Sequence, residues 1–228
     1  ADVSIDLVAK SFDLDEIEGK QINVRLAHEN EKITTLDGVE RELKAFDLII
    51  ADAKKPLCIA GVFGGKTSGV SEKTTSIFIE SAYFNAASVR QTSKHHLLKT
   101  DASFRFERGT DPEMVTTALT MAANLILEIA GGTVSMAIND NYPNVFEPHK
   151  VAFSFESCNE LIGKTIDKTL VKNILINLGI TIENEGNDTL LLNIPRYKTD
   201  VTRQADVIEE VMRIYGYNNI EVSKSITY

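Results

Sequence analysis

The hydrophobic period of this chain changes partway along and then starts again, and that succession restricts the fold more than any single residue does. Early on the period is two. Gln21-Ile22-Asn23-Val24-Arg25-Leu26 alternates polar and apolar side chains, which predicts a half-buried strand. Residues 32–36 and 39–43 flank Asp37-Gly38, a strong short-range hairpin signal. Residues 47–51, 57–60 and 75–80 are nearly unbroken apolar runs and predict interior strands. The period then becomes helical. Asn85 is placed to cap a helix running through Val89 and Lys94. Thr110-Asp111-Pro112-Glu113 supplies a cap, an early proline and an acid at the positive helix end. Val115, Leu119, Ala122, Leu125, Ile126 and Ile129 keep helical spacing from there to Gly131-Gly132.

Residues 139–149, with Pro143 and Pro148, read as a linker. Beyond them the pattern restarts with a strand at 151–155, helices at 158–162 and 169–178, strands at 180–183 and 190–194 around Gly186-Asn187-Asp188, and a helix at 202–214. The expectation is an α+β chain of two domains. Residues 1–146 would carry a mixed or antiparallel sheet with packed helices, and residues 147–228 a small winged-helix-like module.

Composition removes several function classes. The 43% hydrophobic and 25% charged content is that of an ordinary globular chain and excludes wholesale disorder. Lacking an unbroken apolar run of about 18 residues, the chain is expected not to span a membrane. Ala1 opens a polar-apolar mixture without the charged and apolar regions of a leader, and the missing Met reads as a piece cut from a longer chain. Cys58 and Cys158 lie far apart in apolar settings and are expected to stay reduced rather than pair. With 24 Lys and Arg against 33 Asp and Glu, the net charge of −9 repels phosphate backbones. Any nucleic-acid contact needs a local basic patch or another polypeptide.

Three places carry candidate chemistry. Ala60-Gly61-Val62-Phe63-Gly64-Gly65 puts three glycines after an apolar strand, either as a tight turn or as a wall where a ligand approaches main-chain N–H groups. It lacks the GxxxxGK[ST] spacing of a phosphate loop. Glu80 closes the run Ile77-Phe78-Ile79, as a paired carboxylate or as the polar group of a pocket with Ser81-Ala82-Tyr83-Phe84 as apolar wall. In Thr100-Asp101-Ala102-Ser103-Phe104-Arg105-Phe106, an extended reading puts Phe104 and Phe106 on one side. Upstream, His95 and His96 read as surface or capping residues, and no triad or Cys/His pairing supports covalent catalysis. Lastly, Asp206, Glu209 and Glu210 share one helix face, with Asp200 before it. That is either an acidic helix start favoured by the dipole or an oxygen set for a hard cation such as Mg2+.

The strings AGVFGG, FIESAYF, RQTSKHHLLKTDASFRFERGTDP and EEVMRIYGYNNI, in that order, resemble the beta chain of bacterial phenylalanyl-tRNA synthetases over nearly the whole sequence. The resemblance implies that the first domain is a B3/B4 editing region, which hydrolyses tyrosine wrongly esterified to tRNA(Phe), and that the second is the B5 module. It implies Glu80 as the pocket glutamate, Thr100 and Ala102 as pocket residues, and Ala60, Gly61 and Gly64 as the glycine-rich wall. Asp200, Asp206, Glu209 and Glu210 would be Mg2+ ligands shared with the alpha chain; Pro195, Tyr197 and Lys198 also match, with lysine where arginine is usual. It further implies a cytoplasmic heterotetramer in which an alpha chain uses ATP, and a fragment that by itself binds tRNA weakly. One position departs: Lys10, two residues before Phe12-Asp13, stands where many relatives have histidine. The competing expectations are a docking piece with an inactive pocket and a free-standing Mg2+-dependent enzyme.

Overall fold

The computed structural model describes residues 9–220, so the leader-free reading of the opening residues lies outside the described part. Contacts divide the chain into two units, Ala1–Tyr142 and Pro143–Tyr228. The α+β class holds, and every described strand pairing is antiparallel.

In the first unit, β1 (Ala9–Asp13), β2 (Asn23–Leu26), β3 (Lys32–Thr34), β4 (Glu40–Glu42), β5 (Leu48–Ala51), β6 (Pro56–Ile59), β7 (Phe63–Gly64) and β8 (Ile77–Ser81) form three separate pairings: a β2-β5-β6-β7 sheet, a β3-β4 hairpin and a β1-β8 ladder. The apolar runs behave as interior strands, with Ile49, Ile50, Leu57 and Ile59 essentially sealed from solvent. The β3-β4 strands are shorter than their apolar pattern because the turn consumes residues 35–39: Gly38 adopts φ +80°, and Asp37 accepts from the Val39 N–H, the Thr35 hydroxyl and the Arg41 guanidinium. β1 had no sequence signal, since Ala9-Lys10-Ser11-Phe12-Asp13 holds one large apolar residue. Phe12 is fully buried and the rest of the strand is held by the ladder to β8.

Helices α1 (Ala86–His95), α2 (Asp101–Phe106) and α3 (Val115–Ala130) follow. Asn85 caps α1 as expected, accepting from the N–H groups of Ala87 and Ser88. The extended reading of residues 100–109 is corrected. Thr100 Oγ1 accepts from Ser103 N–H while Ser103 Oγ accepts from Thr100 N–H, a reciprocal cap that starts α2. Phe106 is therefore buried while Phe104 faces solvent. Of the two readings of His96, capping holds and surface does not: it is the C-cap of α1, its N–H donates to the Thr92 carbonyl, and its side chain is only 6% exposed and contacts Asp47. A turn at Pro112–Met114, capped by Asp111, leads into α3. Pro112–Ala130 is long enough and, at a mean hydropathy of 1.3, apolar enough to cross a membrane by length and composition, although polar residues interrupt its apolar run. It nonetheless carries Glu113, Asn124 and Glu128, and its Ala118 and Ala122 face is buried where α3 packs on β8.

The second unit holds β9 (His149–Ser154), α4 (Phe155–Ile162), α5 (Lys168–Asn177), β10 (Thr181–Glu185), β11 (Thr189–Ile194) and α6 (Gln204–Tyr215), with sheet order β10-β11-β9. Ser154 and Asp167 cap α4 and α5 by accepting from first-turn N–H groups. Phe153, Leu175, Leu192 and Val207 pack into one core, so two helices, a hairpin and a last helix assemble in the expected sequence.

Candidate functional site

The glycine-rich string folds into the β6-β7 turn and, by the same geometry, into one wall of a cavity of ≈ 220 Å3. The turn reading holds, and Gly61 and Gly64 also line the cavity. At Gly61, φ is +67° and a Cβ would stand 2.8 Å from the Phe84 ring. At Gly64 a Cβ would stand 2.7 Å from Lys10 Nζ, in the space the cavity occupies. Ala60 is different: it is buried behind the wall, with its N–H donated to the Leu48 carbonyl, and does not line the cavity.

The rest of the lining is mostly apolar. Phe84 and Phe106 meet edge to face at 5.0 Å between centroids, and Ile50 and Ile59 come from the interior strands. Ala102 lines the cavity from α2, where its methyl leaves room that a larger side chain would fill. Thr100 lines it as well, but its hydroxyl is committed. It donates to the Val62 carbonyl at 2.6 Å and accepts from Ser103 N–H, which ties α2 to the glycine-rich turn and leaves one lone pair.

Against these walls stand three titratable groups, Glu80, Lys10 and Cys58. Glu80, on β8, is directly opposite Lys10 on β1. Burial drives the Glu80 carboxyl up to about 7, and the Lys10 ammonium opposes that rise. Burial likewise pushes the Cys58 thiol to about 12, so it is no nucleophile. Both cysteines are unpaired, as expected. Sequence reasoning brought Glu80, Thr100, Ala102, Gly61 and Gly64 to this cavity and missed Cys58 and Phe106. Their only signal was membership of apolar strings that any core would contain.

The acidic set of the second unit does not gather. Asp206 turns back to the helix start, accepting from the N–H groups of Thr202 and Arg203 and from the Arg203 guanidinium, which hold its carboxyl at about 2. Glu210 pairs with Lys198 at 2.6 Å and with Arg213. Asp200 and Glu209 are exposed. Among the described residues no three His, Cys, Asp or Glu side chains assemble as metal ligands. Four carboxylates have the right donor chemistry for Mg2+, but with two of them neutralised by the chain's own cations they do not fit the ion as they stand.

Two family models match the chain: the B3/4 domain over residues 7–131 and the tRNA synthetase B5 domain over residues 151–217. It is 52% identical to the phenylalanine–tRNA ligase beta subunit of Porphyromonas gingivalis, over 93% of this chain and 26% of that one. It is 47% identical to the same subunit of Bacteroides thetaiotaomicron, over 94% of this chain and 26% of that one. The chain thus spans about a quarter of the length of the curated relatives it matches. Among solved structures, an N-terminal fragment of the phenylalanyl-tRNA synthetase beta-subunit from Pyrococcus horikoshii matches with 18% identity and a TM-score of 0.46, over 92% of this chain and 60% of that one.

Proposed function

Because the chain belongs to the B3/4 domain family and carries a tRNA synthetase B5 domain after it, we propose that its first unit is the editing domain of a phenylalanyl-tRNA synthetase beta chain, and that its cavity hydrolyses tyrosine wrongly esterified to tRNA(Phe). The observation that carries this reading is Glu80, a desolvated carboxyl beside Lys10 in a mostly apolar cavity of ≈ 220 Å3. A hydrophobic synthetic pocket rejects an analogue with one extra hydroxyl only about a hundredfold. A second pocket that hydrogen-bonds that hydroxyl selects the opposite way. Ionised Glu80 accepts from the phenol in a charge-assisted bond of roughly 1.5–3 kcal/mol, whereas phenylalanine leaves the carboxylate desolvated and unpaired. The resulting preference is roughly ten- to a hundredfold.

An ester is already activated, so water serves as nucleophile. Water adds to the carbonyl, the tetrahedral intermediate expels the ribose hydroxyl, and free tyrosine and tRNA leave. The inert Cys58 thiol supports a route without a protein nucleophile. Gly61 and Gly64 let the substrate approach the main chain, whose N–H groups are suited to the developing negative charge. The remaining lone pair of Thr100 can accept from the substrate amine, and Ala102 leaves room for the ring.

The remaining parts of the reading belong to the longer protein. There the B5 unit contacts the alpha chain, which carries ATP-dependent attachment of phenylalanine, and the assembly works on tRNA(Phe) in the cytoplasm. The test is deacylation of Tyr-tRNA(Phe) and Phe-tRNA(Phe) by synthetase with this sequence and by its Glu80→Ala variant. The preference for the tyrosyl ester should collapse in the variant; unchanged preference removes Glu80 from the role.

A further inference from the structure

Lys10 and Glu80 are opposed across the β1-β8 ladder, so their side chains rise from one face, and both line the cavity. They do not pair. Lys10 Nζ is sealed from solvent and bonds to no carboxylate or carbonyl oxygen among the described residues, Glu80 included; the Cys58 thiol, a weak acceptor, is the one polar side chain it interacts with besides the Glu80 charge. It lies 4.8 Å from the centre of the Phe12 ring, an apolar neighbour that offers only its π face. On its other side is Gly64, where even a methyl group would collide with it. A buried ammonium without an oxygen acceptor is unfavourable, and a buried carboxylate beside it would ordinarily close the gap. A donor and an acceptor that line one small cavity side by side without bonding to each other instead match a group that bridges them. A hydroxyl does so, since it donates one proton and accepts through its lone pairs.

We propose that Lys10 is a specificity-determining residue, donating from Nζ to the phenolic oxygen of a tyrosyl ligand whose own proton goes to Glu80. The cavity then reads the hydroxyl both as donor and as acceptor, requiring a ligand that gives and takes at the same ring position. This rests on the editing reading and extends it. Glu80 alone asks only for a donor, so an aniline would serve as well as a phenol. With Lys10 the ligand must also accept, which the delocalised nitrogen of an aniline does poorly.

The test is equilibrium binding of L-tyrosine, L-phenylalanine and 4-amino-L-phenylalanine to this chain, its Lys10→Met variant and its Glu80→Gln variant. The unaltered chain should bind tyrosine about tenfold more tightly than 4-aminophenylalanine, on the scale of one charge-assisted bond. In Lys10→Met the two should bind alike. Equal binding of the two by the unaltered chain, or a Lys10→Met variant that keeps the original ratio, overturns the role of Lys10. If tyrosine is still preferred over phenylalanine and Glu80→Gln abolishes that preference, the editing reading survives such a result. No preference for tyrosine over phenylalanine in the unaltered chain overturns both. The comparison of ligands on the unaltered chain needs no variant to fold.

Discussion

His96 Nε2 lies 2.7 Å from Asp47 Oδ2, with the two side chains 6% and 0% exposed, and this contact fastens the end of α1 to the start of β5. Asp47 also accepts from the Thr92 hydroxyl and from Lys44 N–H, so its carboxylate gathers a helix and a loop beside a strand whose Ile50 lines the cavity. Replacing Asp47 with alanine leaves those donors buried without an acceptor and should cost about 3–5 kcal/mol. Burial by itself would raise the Asp47 carboxyl, but the bonds from His96, Lys44 and Thr92 outweigh it and hold the carboxyl below its usual range. The stabilisation is therefore present above the unfolded carboxyl range and is lost as pH falls through the depressed folded value. Urea unfolding of the chain and of Asp47→Ala should show a gap at neutral pH that shrinks in acid. A gap that stays constant with pH would mean the carboxylate charge does not matter.

Glu80 has the opposite sign. Its folded carboxyl titrates near 7 against an ordinary value of 4.5, so the fold favours the protonated form. Stability from this group is full below the unfolded value, declines as pH rises to about 7, and stays low above it. The shift corresponds to a difference on the order of 3 kcal/mol. Glu80→Gln removes the titration, so the variant should gain on the unaltered chain by that order between acid and mildly alkaline pH. Any constant effect of leaving Lys10 without a neighbouring charge cancels in that comparison. A pH-independent difference between the two proteins would show Glu80 to be ordinarily hydrated. A carboxyl that destabilises the folded chain at neutral pH fits a role in function better than one in stability.

The fold was readable where side-chain period reported burial directly, and the site was readable only in part. Ile49, Ile50, Leu57 and Ile59 announce interior strands because an unbroken apolar run suits a strand covered on both faces. β1 gave no such signal, since only Phe12 points into the core and the strand exists through its pairing with β8. That hid the opposition of Lys10 and Glu80, a relation between residues far apart in the sequence. α2 was missed because Phe104 and Phe106 alternate like a strand, while the deciding interaction is the local cap between Thr100 and Ser103. The acidic helix face was legible as a face, but the competition from Lys198, Arg203 and Arg213 was not.

Two wall glycines should separate folding from binding. Gly61→Ala places a side chain at φ +67° and 2.8 Å from Phe84, inside the core, and should cost about 2–3 kcal/mol. At Gly64 the new methyl meets the movable ends of Lys10 and Leu36, so Gly64→Ala should stay within about 1 kcal/mol of the unaltered chain. It nonetheless fills the cavity and displaces Lys10, and tyrosine binding should fall about tenfold or more. Denaturation midpoints and tyrosine titrations of both variants check this. A Gly64→Ala protein that binds tyrosine normally would place the ligand elsewhere.

Magnesium should leave the stability of this chain alone unchanged. An ion that binds the folded form stabilises it by about 2.7 kcal/mol when present at a hundred times its dissociation constant. To do so here it would have to draw Asp206 away from Arg203 and the helix N–H groups, and Glu210 away from Lys198 and Arg213. Those contacts already neutralise two of the four carboxylates, leaving exposed Asp200 and Glu209 as the free ones. Lys198→Ala releases Glu210 from its shorter ion pair, and this variant should be the more responsive to the ion. Thermal unfolding with and without Mg2+, using Na+ at matched ionic strength as the control, reads the effect directly. A Mg2+-specific rise in the unaltered chain's midpoint would show that the acidic face reorganises around the cation without any partner.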